Sequence, residues 1–419
     1  MGTRELTIGE MASSFEPGEV VFLPGGSGES TELSSILANA DSSIRDATFI
    51  SSFLPGINTS CLARPGHQSR VATFFMQPAL RDALGEGRVD FRPSSYFGIH
   101  RFLTDSSTHI DTIVVQVAPP DRQGRCSLGP AVEFTPSLIL RPSRVFAVIN
   151  PSVPKLRGSV TIPMERFDFI AHSSAPLATY DVGDTSAASN DLLEHLARLI
   201  PPGAALQVGL GKIPSQLLQA LGNHRELSLH TGMISDAVLA LCGSGALRKR
   251  RPICTAVAIG TADFYRRLAG LRGVSFAEIG FTHSPQTLAN VGRFHAVNSA
   301  LEVDLLGQVN AEKLDGRYVS GPGGLPDFAR AAHLDPEGLS IIALNATDHR
   351  ATRSRIVPQL APGTPVSVPY HDVDAVVTEF GVAALRGQPI DERARRLCAV
   401  AHPAFRPHLA AAARDLLRC

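Results

Sequence analysis

The sequence predicts an α/β protein of two domains with mainly parallel, open sheets. Three observations predict this class. The length of 419 residues exceeds what one ordinary core holds. Short apolar runs alternate with helical patterns, which is typical of βαβ units. Glycine and proline are frequent, at 36 and 30 residues, and many stand in the loops that end these runs.

In the first half, three apolar runs predict buried strands of a parallel sheet. They are Val20–Leu23, Thr112–Val117 and Val145–Ile149. Each runs into a loop rich in Gly, Pro, Asp or Asn, such as Pro24–Glu29 after the first. A helical pattern follows that loop over about residues 32–40. This order of strand, loop and helix favours βαβ units.

A polar stretch, Thr179–Asn190, is the best candidate for a linker. After this stretch, leucines recur at helical spacing. We interpret Asn190, which precedes them, as the cap of that helix. The sequence therefore predicts a first domain over residues 1–186 and a second over residues 187–419.

The second half repeats the alternation of strands and helices. Its predicted strands are Ala205–Val208, Leu227–His230, Ala256–Ile259, Ser340–Leu344 and Ala375–Thr378. A helix is predicted over Pro214–Leu221, shortly after the turn Gly209–Gly211. That turn could receive an anion on free backbone N–H groups. It lacks the further residues of a Rossmann fingerprint or a P-loop, and a plain tight turn explains the pattern equally well.

Charge and cysteine usage argue against several classes of protein. The 39 basic and 39 acidic side chains cancel, so no global field draws the chain to nucleic acid or anionic lipid. The six cysteines are scattered without a Cys-x-x-Cys pair, which argues against a zinc knuckle or a disulfide framework. No apolar run reaches the ~18 residues of a membrane span, and Met1–Gly18 lacks a signal-peptide pattern. We expect a cytoplasmic protein with free thiols, no nucleic-acid partner and no membrane partner.

A polar block, Asn298–Glu312, stands out in the second half. Glu302 and Asp304 alternate with apolar residues, which predicts a strand with one polar face. Gly307–Asn310 predicts a turn, from which a second strand returns around Tyr318. The pattern alone is equally typical of a half-buried hairpin.

Several strings together resemble one known family. They are Gly209–Pro214, His230–Asp236, Asn298–Glu312, Ser320–Gly324 and Val377–Gly387, with Val117–Gly129 and Asn150–Pro154 in the first half. These strings resemble the acetyl-CoA hydrolase/transferase family, in the 4-hydroxybutyrate CoA-transferase branch of the class I CoA-transferases. The resemblance spans almost the whole chain. It implies two CoA-transferase-like α/β domains with the active site between the halves.

The resemblance also implies a function. The family moves CoA between an acyl-CoA and a carboxylic acid. A glutamate attacks the acyl-CoA and forms a mixed anhydride and then a glutamyl-CoA thioester, which divides one hard exchange into easier steps. The CoA thioester would be a co-substrate, with no cofactor and no metal implied. The implied assembly is a homodimer.

The resemblance assigns roles to individual residues. The backbone N–H groups of Ile213 and Gly381 would stabilise the oxyanion, and such pre-aimed donors are worth about 3 to 4 kcal/mol each in acyl transfer. The remaining matched residues would line the substrate and CoA site: Gly209, Gly211, His283, Asn298, Glu302, Gln308, Asn310, Gly321, Gly323 and Gly324.

The sequence departs from the family pattern at the nucleophile. The motif Glu-aromatic-x-Asn/His-x-Pro aligns with Gly280–Pro285, so Gly280 stands where the glutamate is expected. Glu278 lies two residues earlier. On an extended segment its side chain would leave the same face, displaced by about 6 to 7 Å. We predict Glu278 as the nucleophile, and a solvated carboxylate at a strand end is the alternative. Gly232 likewise replaces a family glutamate.

Two other hypotheses stay open because glycine replaces both carboxylates. A cleft without its nucleophile would act as a thioesterase that uses water, or would transfer the acyl group directly to an alcohol or amine in a biosynthetic pathway. A degenerate homologue would bind acyl-CoA or a partner subunit without turnover.

Overall fold

The computed structural model describes residues 3–39, 46–63, 68–141, 144–183, 189–250 and 252–416. The chain divides into two compact units. The first unit comprises Met1–Asp181, Cys254–Thr282 and Val319–Gly323, and the second comprises Val182–Ile253, His283–Tyr318 and Gly324–Cys419. The predicted boundary between residues 186 and 187 lies outside the described residues, so the division into domains 1–186 and 187–419 stays a prediction.

Up to residue 181, strands and helices alternate as expected for an α/β protein. The strands are β1 (Arg4–Glu5), β2 (Val20–Leu23), β3 (Thr48–Ser51), β4 (Arg70–Thr73), β5 (Val89–Phe91), β6 (Thr112–Val117), β7 (Arg125–Ser127), β8 (Arg144–Ile149), β9 (Thr161–Pro163) and β10 (Phe169–His172). The helices are α1 (Ile8–Ser13), α2 (Thr31–Asn39), α3 (Arg81–Gly85), α4 (Tyr96–Thr104) and α5 (Thr135–Leu138). Short 3₁₀ turns cover Gly26–Gly28, Pro78–Leu80 and Met164–Arg166.

The rest of the chain continues the alternation. Its strands are β11 (Ala205–Val208), β12 (Ser228–Ile234), β13 (Ile253–Ala258), β14 (Val274–Phe276), β15 (Phe294–Ser299), β16 (Glu302–Asp304), β17 (Val309–Asn310), β18 (Lys313–Leu314), β19 (Arg317–Tyr318), β20 (Leu339–Ala343), β21 (Ile356–Val357), β22 (Ala375–Thr378) and β23 (Gly381–Ala384). Its helices are α6 (Asn190–Arg198), α7 (Lys212–Ala220), α8 (Ala237–Ser244), α9 (Ala262–Leu268), α10 (Ile279–Thr282), α11 (Pro285–Leu288), α12 (Leu325–Leu334), α13 (Ile390–Val400) and α14 (Arg406–Leu416). The 3₁₀ turns are Leu221–Asn223, Tyr370–Asp372 and Pro403–Phe405. None of the described helices combines the length and the apolarity needed to cross a bilayer.

The first unit is built on a parallel sheet with strand order β1–β10–β8–β6–β2–β3–β4–β5. Its central strand β6 is buried along its whole length. A continuous apolar run of this kind is what a parallel strand covered on both faces requires. The strands predicted over Val20–Leu23 and Thr112–Val117 are confirmed with the same bounds.

The second unit carries a sheet with the order β12–β11–β15–β20–β22–β23. All neighbours are parallel except β22 and β23. The predicted class of two α/β units with mainly parallel sheets is therefore confirmed. The carboxyl ends of the parallel strands share one edge, which is where open α/β sheets bind ligands. Gly209 follows β11 at that edge, and Glu379 follows β22.

Two local details differ from the patterns considered in the sequence analysis. The segment after Glu278 is helical, not extended, because Phe281 and Thr282 donate their N–H groups to the Glu278 carbonyl at 3.0 and 2.9 Å. The strand that returns to β16 is β17, and Tyr318 instead pairs with Lys313 in the short hairpin β18–β19. In the first case a helix of four residues is too short to leave a periodic signal in the sequence.

Candidate active site

Three side chains of the first unit, Glu278, Ser137 and His100, form one cluster. The Ser137 hydroxyl of α5 donates to Glu278 Oε2 at 2.5 Å. His100 Nε2, from α4, lies 3.1 Å from the same hydroxyl oxygen. All three residues are half-buried. Helices α4 and α5 and the residue before α10 therefore bring an imidazole, a hydroxyl and a carboxylate into one hydrogen-bonded chain.

The hydrogen-bond inventory fixes the direction of this chain. A carboxylate only accepts, and the single proton of Ser137 is donated to Glu278. The Ser137 oxygen then accepts from His100, so the proton of the neutral imidazole sits on Nε2 and leaves Nδ1 as the basic nitrogen. Burial lowers the pKa of His100, while the nearby Glu278 charge raises it by a smaller amount. His100 is consequently neutral at neutral pH.

Gly280 lies directly against the His100 ring. A Cβ added at position 280 would stand 2.5 Å from His100 Nε2 and 2.7 Å from its Cε1. Contacts below 3.0 Å essentially never occur for a real Cβ atom. The imidazole thus fills the space that a side chain at position 280 would need. Because the segment is helical, the expected displacement of Glu278 along a strand does not apply.

His283 occupies a tight pocket in the second unit. Its side chain is buried, and its ring centroid lies 4.5 Å from that of Phe328. A Cβ at Gly232 would reach the ring at 2.9 Å, and one at Gly324 at 2.8 Å. Burial lowers the pKa of His283 to about 3, with a smaller contribution from the neighbouring His230. The ring is therefore a neutral, closely packed group.

The predicted oxyanion donor Ile213 lies in the first turn of α7, in the second unit. Gly211 precedes that helix with φ of +120°, a conformation that L side chains rarely adopt. N–H groups in a first helical turn have no intrahelical acceptor, and the helix dipole favours negative charge there. Ile213 is half-buried. The local geometry can present its N–H to an anion.

The other predicted donor, Gly381, opens β23 in the second unit. Its φ is +136°, again a conformation suited to glycine. It pairs with Thr378 in the antiparallel register of β22 and β23. Glu379, in the turn between these strands, accepts from the Ala346 N–H at 2.9 Å. The turn is thus anchored beside Gly381.

Asn298, at the end of β15, forms a reciprocal amide pair with Gln207 of β11. The two hydrogen bonds measure 2.8 and 3.1 Å, and both side chains are buried. A Cβ at Gly209 would lie 3.4 Å from Asn298 Oδ1. This pair therefore fixes the wall beside the glycine turn.

Most polar side chains of the block around β16 form hydrogen bonds within their own hairpin. Gln308 donates to the buried Asp304 carboxylate at 2.8 Å. Asn310 donates to Glu302 at 3.0 Å and accepts from the N–H groups of Glu312 and Lys313. In this arrangement Gln308 and Asn310 hold the hairpin, and Glu302 stays half-buried.

Gly321 and Gly323 permit close backbone approach within the first unit. A Cβ at Gly321 would stand 2.1 Å from the Phe74 carbonyl oxygen. Gly323 has φ of +57°, pairs with Ser95 and accepts from the Tyr96 N–H at 3.0 Å. The glycine loop is therefore pinned to the start of α4, the helix that carries His100.

A buried carboxyl, Glu133, lies at the carboxyl end of β2. Burial raises its pKa to about 8, although hydrogen bonds from Ser52 and the Gly25 backbone oppose the shift. Ser52 donates to Oε2 at 3.1 Å. Glu133 Oε1 has no hydrogen-bond partner among the described residues. The group is an acid that keeps its proton at neutral pH.

His100, Ser137 and Glu133 were not predicted from the sequence. His100 stands in the helix α4 and Ser137 in the four-residue helix α5, and no spacing marks either residue. Glu133 gives a weak signal, since it is a single carboxylate between the apolar residues Val132 and Phe134. Elsewhere in the described ranges, no group of three or more His, Cys, Asp or Glu side chains could hold a metal ion.

Known protein families, sequences and structures match this chain. Residues 4–178 match the acetyl-CoA hydrolase/transferase N-terminal domain, and residues 260–413 match the C-terminal domain of the same family. A 4-hydroxybutyrate coenzyme A transferase of Clostridium kluyveri is 32% identical over 80% of this chain and 80% of its own. A succinyl-CoA:cyclohexane-1-carboxylate CoA transferase of Geobacter metallireducens is 32% identical over 83% and 81%. The crystal structure of RipA from Yersinia pestis superposes with a TM-score of 0.89 at 25% identity, covering 99% of this chain and 97% of that one. The chain belongs to the acetyl-CoA hydrolase/transferase family.

Proposed function

We propose that this protein is a CoA-transferase that moves CoA between an acyl-CoA and a carboxylic acid. Its membership of the family supports this, as do relatives named as CoA transferases. The observation that carries the proposal is the half-buried carboxylate of Glu278, held by Ser137 at the edge of the segment that resembles the family's nucleophile motif. The CoA thioester acts as co-substrate, and the proposal places the reaction in the cytoplasm.

The proposed reaction balances without a net proton or redox change. A Glu278 oxygen attacks the thioester carbonyl, the C–S bond breaks, and CoA leaves as the thiolate. The thiolate then attacks the Glu278 carbonyl of the mixed anhydride, which releases the first carboxylate and leaves a glutamyl-CoA thioester. The acceptor carboxylate enters by the same two steps in reverse order and regenerates Glu278.

Both carbonyl attacks create an oxyanion that needs donors. We propose that the N–H groups of Ile213 and Gly381 supply them, because each lies in a glycine-shaped turn of the second unit. Donors of this kind contribute about 3 to 4 kcal/mol each. The glycine turn, the glycine loop and the hairpin of the polar block would line the CoA and acyl sites.

Covalent trapping tests the proposal. The protein is incubated with acyl-CoA, quenched with borohydride or hydroxylamine, and digested with trypsin. A label on Glu278 supports the proposal. Glu278→Gln should abolish the label and reduce transfer by at least on the order of 10³-fold, as expected when a nucleophile is removed. Glu165→Gln, which changes an exposed carboxylate of the same unit, serves as the control. Unchanged transfer in Glu278→Gln would refute the role of Glu278.

A second candidate function follows from Gly280. The His100 ring fills the side-chain space at the position where the resemblance predicts the family's glutamate. An enzyme without a covalent glutamate would hydrolyse acyl-CoA, or would transfer the acyl group directly to an alcohol or amine. Release of free acid or acyl product with no labelled glutamate would identify this function. Tight acyl-CoA binding without turnover would instead identify a non-enzymatic homologue.

We also propose a homodimer, on the strength of the family resemblance. Sedimentation velocity of the full chain measures the mass directly. A monomer at all concentrations would remove this part of the proposal.

A further inference from the structure

The His100 imidazole occupies the space next to position 280, and the imidazole is itself held in place. His100 Nε2 is bonded to Ser137 at 3.1 Å. The His100 ring also stacks on Phe97, one turn earlier in α4, with centroids 6.2 Å apart and an interplanar angle of 12°. Moving the imidazole aside would break the hydrogen bond and the stacking contact. A glutamate at position 280 therefore has no room for its side chain while His100 keeps this position.

The same ring begins the hydrogen-bond chain that ends on Glu278. His100 Nε2 donates to Ser137, and Ser137 donates to Glu278 Oε2 at 2.5 Å. Oε1 takes no part in this chain. One oxygen of the carboxylate is thus restrained by a hydrogen bond.

We infer that Ser137 and His100 are positioning residues that fix Glu278 as the nucleophile and exclude a nucleophile at position 280. This inference rests on the proposed function. A glutamate side chain has three rotatable bonds and would otherwise sample several rotamers. Holding Oε2 at the Ser137 hydroxyl selects one of them. Since an error of about 1 Å in a reacting atom can cost on the order of 10²-fold in rate, loss of this hydrogen bond acts mainly on kcat.

The first test removes the hydroxyl. Ser137→Ala should lower kcat for CoA transfer by on the order of 10- to 100-fold, with the KM for acyl-CoA nearly unchanged, and Ser137→Thr should recover much of the loss because it keeps the hydroxyl. Ser106→Ala, an exposed serine of the same unit, is the matched control. A purely structural role would lower the amount of folded protein and leave kcat per folded molecule intact. Wild-type kcat in Ser137→Ala would overturn the inference.

The second test exchanges the two positions. Starting from the inactive Glu278→Gln variant, adding Gly280→Glu alone should restore nothing, because the new Cβ meets the His100 ring at 2.5 Å. Adding His100→Ala as well should restore transfer and move the covalent label to position 280. Both positions lie on the same tryptic peptide, residues 273–293, so fragment masses distinguish them. Recovery by Gly280→Glu with His100 retained would overturn the steric part of the inference.

The two tests fail in distinguishable ways. Absence of any glutamate label in the wild-type protein overturns the proposed function and this inference together. A label on Glu278 that survives with full kcat in Ser137→Ala overturns the inference alone. Loss of kcat in Ser137→Ala with the label still confined to Glu278 supports both.

Discussion

Replacing Glu133 with glutamine should change how the stability of the first unit depends on pH. In the folded protein the pKa of Glu133 is about 8, whereas the ordinary pKa of a glutamate is 4.5. Between these two values the folded state keeps a proton that the unfolded chain has released. Stability is therefore lost as pH rises through this window, and the loss is complete near pH 8. One proton contributes about 1.4 kcal/mol per pH unit. The free energy of unfolding should therefore fall by about 5 kcal/mol between pH 4.5 and about pH 8.

Glutamine removes this titration and keeps the shape. Its carbonyl oxygen can accept from Ser52, as Oε2 does at 3.1 Å. Its amide nitrogen would replace Oε1, which has no partner among the described residues, and would cost about 1 to 3 kcal/mol as an unsatisfied donor. That cost does not vary with pH. The diagnostic quantity is consequently the pH slope of the difference between variant and wild type, not its value at one pH.

Urea unfolding followed by far-UV circular dichroism measures the slope, since the chain contains no tryptophan for fluorescence. Glu133→Gln should gain stability relative to wild type steadily from about pH 4.5 to about pH 8. Glu165→Gln, an exposed carboxylate of the same unit, should show no such slope. A constant difference between Glu133→Gln and wild type over this range would refute the account of Glu133 as a buried neutral acid.

Three further outcomes are expected in the second unit. Gly232→Ala should destabilise the protein by about 1 to 3 kcal/mol, because its Cβ meets the His283 ring at 2.9 Å, whereas Gly243→Ala, with open space around its Cβ, should be neutral or stabilising in urea unfolding. Since the pKa of His283 is about 3, against an ordinary 6.5, stability should fall as pH drops from 6.5 towards 3, and His283→Asn should move the acid-unfolding midpoint to lower pH. Ser189→Ala should cost about 1 kcal/mol in the same urea assay, because Ser189 caps α6 through the Leu192 N–H at 3.2 Å.

The strands of both sheets were predictable because burial on both faces demands continuous apolar runs. Ala205–Val208 and Ala375–Thr378 have the predicted bounds. The segment Ile279–Thr282 was not predictable in the same way, since one helical turn has no period to detect. What places it is a contact distant in sequence, the Ile279 N–H on the Glu133 carbonyl at 2.8 Å. Local pattern identifies long elements, and tertiary hydrogen bonds decide the short ones.

The surroundings of Glu278 could not be predicted for a related reason. The carboxylate itself stands beside a recognisable motif, so the sequence singles it out. Its partner Ser137 is 141 positions away, and Ser137 is in turn 37 positions from His100. Neither partner carries a spacing or a composition that distinguishes it from an ordinary surface residue. Only the packing of α4, α5 and α10 brings the three groups together.

The two glycines that stand where the family resemblance predicts glutamates share one physical property. At Gly232 and at Gly280 the missing side chain would collide with a histidine ring, His283 in one unit and His100 in the other. Each ring lies where a Cβ would stand, so the side chain tolerated at each position depends on the facing histidine. Glutamate placed alone at either position should therefore collide with the facing histidine ring.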